Sequence, residues 1–386
     1  MSAAIESVEP SPAAGRVFAT RAVFFVAGFG LSSWAPLVPY VKARLAIGDG
    51  LLGLLLLCLG IGSLVTMPVT GVLAGRFGCR RVILGAGASL CVALPLLAFA
   101  GSLPQVAIAI ALLGASVGTL DVAMNIQAVR VEAAIGRAMM SGFHGFFSIG
   151  GIAGAGAVTL ALGAGTAPGV AALLVAAVSA ALLAASANGL LREGVDPGSG
   201  PRLAVPSGVV ILIGLLCCAC FLTEGAMLDW SAVFLTGTHH FDARYGGAGY
   251  ALFSVAMTVC RFTGDRVVAA CGGLRVLRAG AVCAAAGLLL AVLVPSGAIA
   301  LLGFVLVGIG ASNMVPVLFT AAGRQRAMPA NLAVAAVTTL GYAGILAGPA
   351  LIGAVAQATS LALALALLAA MMLAVAWASG RLAADR

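Results

Sequence analysis

Three carboxylates of this sequence stand in long apolar stretches, where a side chain able to hold a proton is conspicuous: Asp121, Glu224 and Asp229. A charged carboxylate at the centre of a bilayer costs about 3 kcal/mol even on the insertion scale, so each needs a partner, a wet cavity or a proton. Asn125 follows Asp121 by one helical turn, about 40° round the axis, and shares its face. His144 lies in the next apolar stretch, at a depth where its imidazole could meet Asp121 and share its proton, which is the chemistry of proton coupling. The alternative is a fixed Asp–His or Asp–Asn hydrogen bond that ties two helices together. Glu224 and Asp229 are five residues apart and point about 140° from each other on a helix. Glu224 is therefore the expected proton or substrate ligand. Asp229, near the outer end of its stretch, either touches substrate or caps and pairs at the surface.

Uncharged groups join this set. Trp34 precedes Pro36 and Pro39, which loosen a helix there, so its indole either stacks on a sugar face or anchors at the membrane interface. Trp230 reads mainly as an anchor. Asn313 can hydrogen-bond a hydroxylated solute without charge, or an adjacent helix. Cys217-Cys-Ala-Cys220 occupies an apolar stretch without a nearby histidine, where cysteines behave as small hydrophobes, and His239-His240 with Asp242 reads as a solvated loop. No metal is expected. No glycine-rich stretch follows a strand and no phosphate-binding loop is present, so no cofactor is expected either, and any transport must run on a gradient.

The elements that position these residues are membrane helices. The chain of 386 residues is 62% hydrophobic and 8% charged, with a mean hydropathy of +1.17, far from the composition of a soluble domain. Stretches of about 20 apolar residues predict twelve spans, at approximately 17–41, 50–74, 80–100, 104–128, 138–163, 168–191, 207–235, 244–269, 274–294, 297–321, 328–356 and 360–380. The polar start lacks the basic and short apolar regions of a cleaved leader, so the first stretch is expected to stay as a span.

Seventeen of the twenty basic residues, Arg261 and Arg266 among them, fall on one side of this arrangement, and Lys42, Arg44 and Arg244 fall on the other. Because basic residues mark cytoplasmic loops, both termini are expected in the cytoplasm and the protein in a cell (inner) membrane. The net charge of +8 then reflects topology, and nucleic-acid binding is unnecessary. None of the nine cysteines lies in an expected external loop, so no disulfide framework is implied.

A Pro/Gly-rich linker at 192–206 separates a bundle at 17–191 from one at 207–381, with tails at 1–16 and 382–386. The two halves echo each other: Gly118-Thr-Leu-Asp121 matches Gly310-Ala-Ser-Asn313, and Gly136-Arg-Ala-Met139 resembles Gln325-Arg-Ala-Met328. Internal duplication of this kind belongs to carriers in which two bundles rock about a site at the midplane. Small residues four apart, at Gly71/Gly75, Gly114/Gly118, Gly150/Gly154 and Gly344/Gly348, predict close helix packing.

Gly71-Val-Leu-Ala-Gly-Arg-Phe-Gly-Cys-Arg-Arg81 resembles the signature loop of the major facilitator superfamily (MFS). Asp121-Val-Ala-Met-Asn125, Ser141-Gly-Phe-His-Gly-Phe-Phe-Ser-Ile-Gly-Gly151 and Glu224-Gly-Ala-Met-Leu-Asp-Trp-Ser231 resemble its MosC-like branch, named for a rhizopine transport protein. The resemblance implies an all-α polytopic fold of two pseudo-symmetric six-helix bundles, a cavity lined by spans one, four, seven and ten, and a small polar, sugar-like or cyclitol-like solute; the depth of Asp121 and Glu224 adds the expectation of proton coupling, and both halves in one chain that of a functional monomer. The resemblance also implies a gate at two loops, with Arg76 and Arg80 in the first half and Arg261 and Asp265 in the second. The family's first loop carries an acid where this chain has Gly75. Export of amphipathic metabolites or drugs is the competing function. A non-transporting membrane sensor is another, although the tail after Trp377 is short for a signalling domain. No nucleophile–base pair suggests an enzyme.

Overall fold

A computed structural model describes residues 12–194, 205–206, 208–241 and 247–383. Most of the 192–206 linker, the polar start and Asp242 with Arg244 lie outside them. The described residues form helices α1 (Pro12–Ser32), α2 (Val38–Leu45), α3 (Asp49–Phe99), α4 (Leu103–Ile135), α5 (Met140–Gly163), α6 (Pro168–Ser186), α7 (Val209–Thr238), α8 (Ala248–Cys271), α9 (Gly273–Leu293), α10 (Gly297–Ala311), α11 (Met314–Arg324), α12 (Ala330–Ala358) and α13 (Leu361–Ala378).

Ten helical stretches are long and apolar enough to cross a membrane. Twelve spans follow from two further observations. At 51 residues, α3 is about 75 Å long against a hydrocarbon core of about 30 Å. It is folded at Gly78, whose φ of +79° is open to glycine and whose α-carbon sits against the Arg192 carbonyl. The eighth span, α8, is too polar for a hydropathy criterion because Arg261, Asp265 and Arg266 all lie on it. The first span runs through α1, a 3₁₀ turn at Ala35–Leu37 and α2, and the tenth is α10 and α11, broken at Ser312–Asn313.

Glycines set the tight helix contacts. Gly114 and Gly118 of α4 lie on the backbone of α3 at Leu59 and Ser63, and Gly150 and Gly154 of α5 lie on the α1 carbonyls of Phe25 and Phe29. In the second half, Gly344 of α12 lies on the Cys218 carbonyl of α7. Gly71 and Gly75 do something different: they receive Asn331 and Ala335 of α12, so this pair packs one half against the other.

Further contacts between the halves lie toward the arginine-rich side. Phe146 of α5 meets Phe262 of α8 edge-on at 5.8 Å, and Val129 of α4 packs on Gly323 of α11. On the opposite side Arg44 donates to the Leu97 and Ala98 carbonyls at the end of α3, which gives this minority basic residue a helix C-terminus to neutralise.

Candidate functional site

Two polar clusters occur deep among the helices, and α5 carries a member of each. In the first, the Asn125 amide donates to the Asp121 carboxylate at 3.2 Å and to the Asp121 carbonyl at 2.9 Å. Both partners are acceptors, so the amide NH₂ faces Asp121 and the Asn125 oxygen faces His144, 3.2 Å from Nε2. His144 must therefore donate through Nε2. The Asp121–His144 meeting expected from the sequence is indirect, with the fully buried Asn125 side chain between them. Phe24 of α1 meets the imidazole edge-on and Phe319 of α11 stacks on it, so residues of both halves enclose the ring. Tyr342 of α12 faces Ser63 and Asp121 from the second half.

The second cluster is built on Arg261. Arg261 stands ten residues before the end of α8, so its α-carbon lies about 15 Å inside the helix, and its side chain is buried. The guanidinium pairs with Glu224 of α7 at 3.5 Å, donates to Ser148 of α5 at 2.8 Å, and donates through Nε to the Ser312 carbonyl at 3.3 Å. That carbonyl has no partner in its own helix, because residue 316, four positions on, is a proline without an N–H. One cation is thus tied to a carboxylate in its own half and to a hydroxyl in the other. Ser148 lies one turn after His144 and donates to its carbonyl at 3.3 Å, which joins the two clusters along α5.

The pair is incompletely satisfied. Glu224 Oε1 is buried with no hydrogen-bond partner among the described residues, and two of the five guanidinium N–H groups remain after the three contacts above. A solute hydroxyl placed there can donate to Glu224 and accept from Arg261 at once. Asn313, at the break, donates to the Cys260 carbonyl and the Ser312 hydroxyl, while its own oxygen has no partner among the described residues and rests over Gly264.

The remaining expected site residues separate by depth. Trp34 is buried at the end of α1 and Trp230 is half-buried with its ring edge on Gly353; each indole N–H lacks a partner among the described residues. Asp229 is exposed. Arg76 is exposed with its guanidinium over Phe77, and Arg80 is half-buried, its backbone N–H bonded to the Leu191 carbonyl. His239 contacts the Ala291 carbonyl at 3.1 Å, and no group of metal-ligating side chains occurs among the described residues.

Asp265 lies inside α8 and reaches across to the other half, where its two oxygens accept the backbone N–H groups of Ser141 and Gly142 at 2.9 and 3.0 Å. Glu132, which sequence reasoning passed over, accepts those of Met139 and Met140. Together the two carboxylates satisfy the four free donors at the start of α5. The other Glu132 oxygen accepts from Thr320 at 2.8 Å and lies 3.7 Å from Arg324, both of the second half. At the first-half loop there is no acid at Gly75; instead Asn331 of α12 donates to the Gly71 carbonyl at 2.7 Å. Ser148, Tyr342 and Asn331 carried no sequence signal of their own. Arg261 and Glu132 did: each is a charge within a helix-forming apolar stretch.

The chain matches the Major Facilitator Superfamily over residues 22–349. It is 52% identical to an uncharacterized MFS-type transporter of Yersinia pestis over 376 residues, covering 97% of this chain and 98% of that one. It is 32% identical to the membrane protein MosC of Rhizobium meliloti over 360 residues, covering 92% and 87%. Among solved structures it superposes on the Escherichia coli fucose:proton symporter FucP with a TM-score of 0.79 at 14% identity, covering 95% of this chain and 98% of that one. It superposes on the human organic anion transporter MFSD10 with a TM-score of 0.78 at 15% identity, covering 96% and 100%. Twelve spans in two bundles, polar groups buried where the bundles meet, and these likenesses lead to one conclusion: the chain belongs to the Major Facilitator Superfamily and is a membrane transporter.

Proposed function

We propose that this transporter is a proton-coupled secondary carrier of a small polar, sugar-like or cyclitol-like solute. The observation that carries the reading is the Arg261–Glu224 pair, with Arg261 and the Glu224 Oε1 atom buried, shared between the halves through Ser148, and left with a free acceptor and free donors on adjacent groups. Vicinal hydroxyls complement that pattern, whereas a lipophilic ligand would leave it unsatisfied at a cost of about 1–3 kcal/mol per group.

Glu224 and Asp121 are the proton-binding groups, with His144 reading Asp121 through Asn125. A proton on Glu224 cancels the charge that holds Arg261, weakens its hold across the halves, and changes the energy gap between the two facing states. Glu224, Asn313, Trp34 and Asp229 contact the solute, and Asn125 acts on it by fixing Asp121. Asp265, with Arg76 and Arg80 at the matching loop, closes the arginine-rich side, and Arg261 links that gate to the site. That side faces the cytoplasm, with both termini, in a cell (inner) membrane, and one chain suffices because it contains both halves.

Thermal shifts of the detergent-purified protein with hexoses and cyclitols, against lipophilic cations, select the ligand; proteoliposome uptake with and without an imposed pH gradient then tests coupling. Glu224→Gln and Asp121→Asn are expected to bind solute and fail to accumulate it. Shifts with lipophilic cations alone would replace this reading with export of amphipathic compounds, and uptake indifferent to the pH gradient would remove the proton.

A further inference from the structure

A groove of about 370 Å³ runs between the two arms of α3 and α4, away from the polar clusters. Its floor and walls are apolar or small, with Leu73, Phe77, Val82, Ala86 and Thr119 along it and the Ser89–Ser116 hydrogen bond of 2.7 Å at its inner part. It opens outward: Gly71 and Gly75 face α12, and Leu73, two residues from each, points about 160° away from both. Leu73, Phe77 and Gly85 are exposed, and Leu73 and Gly85 fall within the expected spans, where the surrounding medium is lipid.

Arg81 stands at the rim on the arginine-rich side, exposed and without a hydrogen bond or ion pair among the described residues. Arg76 and Arg80 flank it, and with Gly75 in the loop no acid within 71–81 offsets the three charges. Glu193 lies near the same turn, with its carbonyl held by Arg130, and leaves the rim basic. From Arg81 to Ser89 the groove descends about 12 Å, close to the hydrocarbon depth of one leaflet.

We propose that this groove seats one acyl chain of an anionic phospholipid, with the phosphate on Arg81. An apolar trough below a basic rim fits a lipid with a negative head, and a zwitterionic head brings its own cation to the arginines. The bound chain fills the wedge between α3 and α4 beside the turn at Gly78, and so braces the loop that meets α12.

The test uses the full-length protein in detergent with phosphatidylglycerol or phosphatidylcholine of identical dioleoyl chains, read by melting temperature. Phosphatidylglycerol is expected to raise it by several degrees, saturably, and phosphatidylcholine to leave it nearly unchanged. A Cβ at Gly85 meets nothing within 4 Å, so Gly85→Leu has room to start a side chain into the groove and should abolish the rise while sparing the lipid-free melting point. Arg81→Gln should remove the preference between the two lipids. Equal shifts from both lipids in the natural protein, or a shift that survives both substitutions, overturns the proposal, and so does an equal shift from glycerol phosphate, which has no acyl chain. Should Gly85→Leu fail to fold, phosphatidylglycerol carrying a diazirine in its acyl chain decides: labelling within 73–89 or 115–119 supports the site, and labelling confined elsewhere overturns it.

Discussion

The Arg261–Glu224 pair makes the most discriminating prediction, because its two members are worth more together than apart. At 3.5 Å, in an effective dielectric of about 20, opposite unit charges attract by about 5 kcal/mol, before the cost of removing both from water. Truncating one partner forfeits the attraction and leaves the other charge buried, at about 3–5 kcal/mol; replacing both with neutral groups of similar size removes the burial cost as well. Arg261→Met and Glu224→Gln should therefore each destabilise the detergent-solubilised protein by about 3 kcal/mol or more, and the double variant should fall no further than the worse single, a coupling of about 3 kcal/mol. Chemical and thermal unfolding of the four proteins in one detergent measures this cycle. Additive losses would mean that the two side chains do not stabilise each other, and would refute the assignment of Arg261 as the counter-charge of Glu224.

Two more outcomes follow from the polar contacts between and within the halves. Asp265→Asn should cost about 1.5–3 kcal/mol, as a charged acceptor of two backbone N–H groups becomes neutral, and hydrogen exchange of the Ser141 and Gly142 amides should accelerate while that of Met139 and Met140 does not; unchanged exchange at all four would contradict the assigned cap. His144→Leu removes the donor to the Asn125 oxygen and should destabilise by about 1–3 kcal/mol, whereas His144→Gln, which can still donate, should recover most of that; equal losses in both would place the value of His144 in its ring packing.

Spans were legible in the sequence because hydropathy at about 20 residues per crossing is a one-dimensional property. The Asp121–Asn125 contact was legible for a similar reason, since helix geometry alone puts residues four apart on one face. Arg261 was legible only in part: the expected span at 244–269 already contained it, and its neighbours Asp265 and Arg266 marked it as part of a charged motif rather than as the partner of Glu224. What Arg261 touches, Ser148 across 113 residues and the carbonyl left free at Ser312, depends on the packing of three helices and on the proline in one of them. No periodicity encodes that. Gly71 and Gly75 show the limit differently: their spacing announced a close approach but not which helix would arrive, and Asn331 of the other half takes a place that packing within one bundle would have given to a nearer neighbour.

The start of α5 holds a consequence for how the two bundles part. Its four backbone donors are shared evenly, two to Glu132, which travels with α5, and two to Asp265, which does not. In the rocking proposed above, opening of the arginine-rich side leaves water to take over only the second pair. The helix end would then keep the Glu132 bonds, and the passage between facing states would forfeit two bonds there rather than four.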